Sequence, residues 1–280
     1  MKIGSIEIKS YQKSLLIILL FLILITLFTI FLPPAVDWSN YYRPAAIAFI
    51  KGQSPYAIDG FINPPWVLIP MVPLLLLPES VGRAILAVST ILSLTYVSRK
   101  MGANLVGVIA LLLCPPVIQL FIDGNIDWFV TLGFFLPPQI GLFFMAIKPQ
   151  VGLMVAFFWF INSWRGGGFR EVIKVFTPFL FFFLLSFVIY GLYPLSDTKD
   201  LAWGGNTSLW PVSIPIGLAL FVHSIRKNDQ NFSIASSPFL SPYVILHSWV
   251  GVFLVLSRFT WEFLASVVGL WIVVIIRFLQ

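Results

Sequence analysis

Long uncharged apolar runs, separated by islands of a few polar residues, pattern nearly the whole chain. In order they cover 14–36, 60–78, 84–98, 101–122, 128–147, 149–164, 175–196, 201–225, 230–257 and 259–276. Most approach or exceed the ~20 apolar residues that an α-helix needs to cross a bilayer. Read at face value, the pattern predicts an all-α polytopic membrane protein with about ten transmembrane helices. The expected organisation is a cytoplasmic tail over 1–13 and a single membrane domain over 14–280. Residues 34–66 form an outer loop in which 43–50 lies as a surface helix. The first run is too long for a signal-peptide core and lacks a small-residue cleavage site, so it is expected to stay.

Charge gives this pattern a direction. Lys2, Lys9 and Lys13 hold the N-terminus in the cytoplasm by the positive-inside rule. Counting ten crossings from there puts the basic turns at 165–174 and 226–227, and also Arg277, on the cytoplasmic side. Arg99-Lys100 is the one violation, falling outside. The same count sets Lys148 and the loop 197–207 on the outer face beside Asp37.

Composition agrees with a membrane protein. Hydrophobic residues make up 59% and charged residues 10%, and mean hydropathy is +0.97. A soluble domain carries about a quarter charged residues. The net charge of +6 comes without an aromatic-interleaved basic patch, so no nucleic-acid partner is expected. Basic residues in membrane proteins mostly set orientation. The single cysteine, Cys114, rules out an internal disulfide.

Against so apolar a background the remaining polar residues stand out. The stretch 37–66, DWSNYYRPAAIAFIKGQSPYAIDGFINPPW, carries Asp37, Arg43, Lys51 and Asp59 and concentrates Tyr, Trp, Asn and Pro. An ordinary solvated loop explains it equally well. Asp37, however, follows the membrane exit directly, where a fixed carboxylate suits a general base. Lys148 sits in FFMAIKPQVGLMVAFF, and ionisable groups in such settings mark function by default. The plain alternative is a lysine snorkelling at a turn before Pro149. Asp123-Gly-Asn-Ile-Asp127 reads as a turn. The segment 204–208 reads as a flexible loop, and His247 as a satisfied core histidine. No HExxH, CxxC, Walker or GxSxG pattern occurs.

The islands also recur in a familiar order. Asp37 with Tyr41-Tyr42 comes first, followed by Gly52, Pro55-Tyr56 and Pro64-Pro65-Trp66. Gly124-Asn125, Lys148-Pro149-Gln150, Gly205-Asn206-Thr207-Ser208 and Ser241-Pro242 with His247 follow. Over about residues 14–257 this order resembles the polyprenyl-phosphate-dependent glycosyltransferases of family 87. These are similar to the inositol-glycolipid mannosyltransferases and have the GT-C membrane fold. Asn125 and Thr207 stand where that family usually has Gln.

The resemblance implies transfer of a hexose such as mannose, with inversion, to a lipid or glycan acceptor at the outer face of a prokaryotic plasma membrane. The donor would be a polyprenyl-phosphate sugar, with membrane lipids around it. Asp37 would be the general base and His247 a second catalytic residue. Lys148, Arg43 and Lys51 would hold the donor phosphate. Tyr41, Tyr42, Asn63, Trp66, Asn206 and Ser208 would contact the sugar and acceptor. The scheme calls for no cofactor and leaves room for a divalent metal. Two other readings compete with it, a transporter or lipid flippase, whose charges mark a substrate path, and an inactive structural subunit.

Overall fold

A computed structural model describes residues 10–193 and 205–279. Of the predicted tail only residues 10–13 fall within them, and of the loop 197–207 only 205–207. All regular structure among the described residues is helical, apart from one isolated bridge between Asn206 and Ile245. Among the described residues three helices are long and apolar enough to cross a membrane, or four if one bent pair counts as a single span. The count of ten therefore does not hold.

Proline is the reason. Each Pro removes a backbone donor and clashes with the preceding turn, so an apolar run that contains one does not continue as one α-helix. Within 60–78, Pro64, Pro65, Pro70 and Pro73 leave a 3₁₀ stretch, Pro65–Leu76. Run 101–122 becomes α4 (Leu105–Leu112) and α5 (Pro115–Ile122), bent by 59° at Pro115-Pro116. Run 128–147 divides at Pro137-Pro138 into α6 (Asp127–Gly133) and α7 (Pro138–Met145). Run 230–257 supplies α10 (Gln230–Ser236), two short 3₁₀ turns and α11 (Val250–Leu256).

The remaining helices make the frame. They are α1 (Ser10–Phe31), α2 (Arg43–Ile50), α3 (Glu79–Lys100), α8 (Pro149–Tyr190), α9 (Ile214–Lys227) and α12 (Thr260–Leu279). α3 is the central span, with 56% of its apolar window buried against 11% for α8 and for α12. It packs on α1, α4, α5, α6 and α11.

α8 is a hairpin. Its helical geometry breaks at Gly167 and Gly168, where Gly168 takes φ 62°. A continuous helix would separate Phe160 and Phe176 by about 24 Å at 1.5 Å per residue. Their rings instead meet at 5.8 Å, so the limbs 149–166 and 169–190 run antiparallel. The expected basic turn after 164 is this break.

These helices give the molecule two unlike ends. At one, Trp38 Nε1 donates to the Glu79 carbonyl at the start of α3, and Arg83 donates to the Thr29 carbonyl near the end of α1. About 33 Å along α3, at 22 residues of 1.5 Å, lie Arg99 and Lys100. There Asn104 bonds Thr260, and Arg258 lies over the rings of Phe259 and Phe232. Phe232 touches His223, and Arg165 donates to the Ile225 carbonyl. Arg99 and Lys100 thus share an end with Arg165, Arg226, Lys227 and Arg258.

Candidate active site

The other end holds a cavity of about 640 Å³. The loop after α1, the α5–α6 turn, the start of α8, Tyr193 and the segments 205–207 and 243–247 all line it. Asp37 reaches it because two chain segments approach closely. α5 ends with Asp123 N–H bonded to the Gln119 carbonyl and Asn125 N–H bonded to the Leu120 carbonyl. Gly124 between them takes φ +67°, the left-handed helix stop that favours glycine. A Cβ on Gly124 would fall 2.9 Å from the Trp38 Cβ and 3.0 Å from the Ala35 Cβ. That contact lets Asp37 N–H bond the Asp123 carbonyl at 2.9 Å.

A chain of polar contacts runs inward from Asp37. Its Oδ2 accepts from Asn125 Nδ2. Asn125 Oδ1 accepts from Lys148 Nζ at 2.7 Å, from Ile126 N–H at 2.6 Å and from Asp127 N–H at 3.2 Å. Three groups that can only donate meet this atom, which fixes the amide with its NH₂ toward Asp37. Lys148 Nζ also pairs with Asp127 Oδ1 at 2.6 Å. Asp127 Oδ2 receives His247 Nδ1 at 2.8 Å and the Ser248 hydroxyl at 2.9 Å. Facing a carboxylate, His247 Nδ1 is the donor of this bond.

The depth of this chain governs its electrostatics. Asp127 is fully buried, Lys148 is 6% exposed and His247 is 3% exposed. Burial alone would raise the Asp127 carboxyl, but Lys148 and His247 beside it outweigh that and hold it well below the usual carboxylate range. Asp123, half-buried and accepting from Gln119, moves the other way, pushed up by burial and then by the charge of Asp37. The Tyr42 phenol is likewise pushed up, by burial first and then by Asp37 and Asp127, so it stays a donor. Among the described residues no three His, Cys, Asp or Glu side chains group as a metal site.

Of the residues singled out in the sequence, Asp37, Tyr41, Tyr42, Asn63, Lys148 and His247 line the cavity. Tyr41 lies against Gly60, where a Cβ would come within 2.5 Å of its ring. Asn63 donates to the Ile147 carbonyl at 2.9 Å. Arg43, Lys51, Trp66, Asn206 and Ser208 lie outside the lining. Arg43 opens α2, and Lys51 is exposed just beyond that helix. Trp66 bonds the Phe143 carbonyl and packs against Phe143, Phe179 and Phe183.

Asn206 and Ser208 do structural work instead. Asn206 receives Ser208 N–H and Val244 N–H and donates to the Pro242 carbonyl. Ser208 donates to the Ser241 carbonyl. Together they lay 205–207 along 241–245, which brings Thr207 and Tyr243 to the cavity.

Sequence reasoning passed over Asp123, Asn125 and Asp127 as site residues, because DGNID is also what a helix-ending turn looks like. The available signal was two carboxylates four positions apart inside an otherwise apolar run. No family model, curated protein or solved structure matches the chain.

Proposed function

We propose that the cavity is the active site of a membrane glycosyltransferase that takes a sugar from a polyprenyl-phosphate donor. One observation carries this reading. Of the islands whose order resembles glycosyltransferase family 87 with its GT-C fold, those of Asp37, Asn125, Lys148 and His247 converge on one cavity and join there, through Asp127, in one polar chain.

The chemistry follows from the contacts. Asn125 occupies Asp37 Oδ2, so Oδ1 takes the proton of the acceptor hydroxyl. The freed oxygen attacks the anomeric carbon as the bond to phosphate breaks on the opposite face. The centre inverts and polyprenyl phosphate departs. Inversion of this kind needs one well-placed base and no covalent intermediate. Lys148, with three donors of which two are used, offers the third to the phosphate, and the partial positive charge at the start of α8 adds to it. His247 Nε2 bonds a sugar hydroxyl, and Tyr41 and Tyr42 supply ring faces and donors. The scheme calls for no metal. The basic end, with Arg99-Lys100 now beside Arg165 and Arg226, lies at the cytoplasmic surface by the positive-inside rule. The cavity therefore opens at the outer face. Arg277 is the exception, since α12 starts at the basic end.

The test is direct. Purified protein is incubated with a panel of polyprenyl-phosphate sugars and lipid acceptors, and products are read by mass spectrometry. Release of polyprenyl phosphate with a matching new glycoside is expected, and its loss in Asp37→Asn. Turnover that survives Asp37→Asn in folded protein sinks the mechanism.

A further inference from the structure

The charges in the cavity wall are unevenly spread. Lys148 is the one lysine among the described lining residues, and no arginine joins it. Asp127 already holds that lysine's charge at 2.6 Å. On the other side of the Asn125 amide the charged groups of the wall are two carboxylates, Asp37 and Asp123, with Gln119 and the hydroxyls of Tyr41 and Tyr42 among the neutral lining. Gln119 gives its NH₂ to Asp123, and its Oε1 is buried without a partner. Among the described lining residues no lysine or arginine stands beside Asp37 and Asp123, and Lys148 and His247 only partly offset what burial and Asp37 do to Asp123. A wall whose only charges are carboxylates favours ligand hydroxyls that donate, and it repels negative charge.

We infer that Asp123 is a specificity-determining residue, which makes this side of the cavity the subsite for a neutral, hydroxyl-bearing acceptor and excludes acidic ones. The inference rests on the transferase reading, and assigns its two substrates to opposite sides of Asn125. The donor phosphate belongs at Lys148 and the first turn of α8. The acceptor belongs at Asp37, Asp123 and Gln119, where its hydroxyls donate to the carboxylates. A carboxylate or phosphate carried on the acceptor sugar would face Asp123 and Asp37 with no cation between them. Asp123 need not touch the reacting atoms to have this effect.

Binding tests it apart from catalysis. The affinities of a short-chain alkyl glucoside and the matching alkyl glucuronide are measured on protein in nanodiscs at neutral pH. Wild type, Asp123→Asn and Asp59→Asn are compared, Asp59 being exposed and outside the lining. Wild type should prefer the neutral glycoside by about tenfold or more, the scale of one like-charge contact. Asp123→Asn should close most of that gap by strengthening glucuronide binding, while Asp59→Asn leaves it unchanged. Equal binding of both glycosides by wild type, or an unaltered preference in Asp123→Asn, overturns the assignment. If neither glycoside binds, the acceptor subsite and the transferase reading fall together. Selective binding without transfer from any donor overturns the reading alone.

Discussion

Asp127 shows how one atom's partners decide what its neighbours tolerate. It is fully buried and held by Lys148, His247 and Ser248. Lys148→Met would strand that carboxylate, at a cost of about 3–5 kcal/mol. Thermal unfolding in detergent should show the loss, and Lys148→Met with Asp127→Asn should recover most of it. Asp37→Asn, by contrast, should unfold like wild type and lower transfer roughly 10²–10⁴-fold, the worth of a general base. Asp123 gives a pH-dependent outcome. Its folded pKa is raised, so its ionised form weakens the fold as pH climbs past the ordinary carboxylate value. Asp123→Asn should therefore melt higher than wild type at pH 7.5, and the two should converge below about pH 4. Asp37 was legible in the sequence because it follows an apolar run directly and Lys148 because it interrupts one, whereas His247 reads alone as a core histidine and stood out only through the resemblance. Asp123 and Asp127 were not legible, because the same residues also end α5 and start α6.

At the scale of elements, the sequence showed where apolar surface runs, and Pro137-Pro138 with Pro149 pointed to a broken helix there, but the helix count did not take such breaks into account. Pro115-Pro116 and Pro137-Pro138 were visible, yet a window average passes straight over them, and four short helices were counted as two spans. The turn after 164 was readable because glycine and arginine interrupt the apolar pattern together. Among the turns, Gly124 carries the most consequence. Gly52 also has positive φ, +70°, but nothing lies within 4 Å of its would-be Cβ. Gly124→Ala meets both a left-handed backbone and the Trp38 and Ala35 side chains. It should lose about 1–3 kcal/mol and a large share of transfer, because Asp37 must retreat from Asn125. Gly52→Ala should lose only the smaller backbone part and keep activity per folded molecule. Equal losses in the two variants would mean that the 35–38 contact does not set the base.

For the whole molecule, the separation of a basic end from the cavity end predicts a labelling pattern. Cys114 is buried in the core, and Cys114→Ala gives a cysteine-free background. New cysteines at Ser39 and Gln150 should react with an impermeant thiol reagent applied to intact cells. Those at Ser163 and Lys100 should stay protected until the membrane is opened. Lys100 is the decisive position, since ten simple crossings would expose it outside. Labelling at Lys100 in intact cells would refute the orientation.

The polar chain is assembled from distant parts of the sequence, and this matters while the protein is being made. Asn125 and Asp127 leave the ribosome shortly before Lys148, so the acid finds its cation almost at once. His247 follows Asp127 by 120 positions, which at roughly 5–20 residues per second takes about 6–24 seconds. Through that interval the nascent chain carries a half-built cluster: Asp37 and Lys148 are made, His247 and Ser248 are missing. A product that ends between residues 148 and 247 has the partner of one Asp127 oxygen and lacks both partners of the other. Such a fragment exposes a polar defect that the finished protein hides.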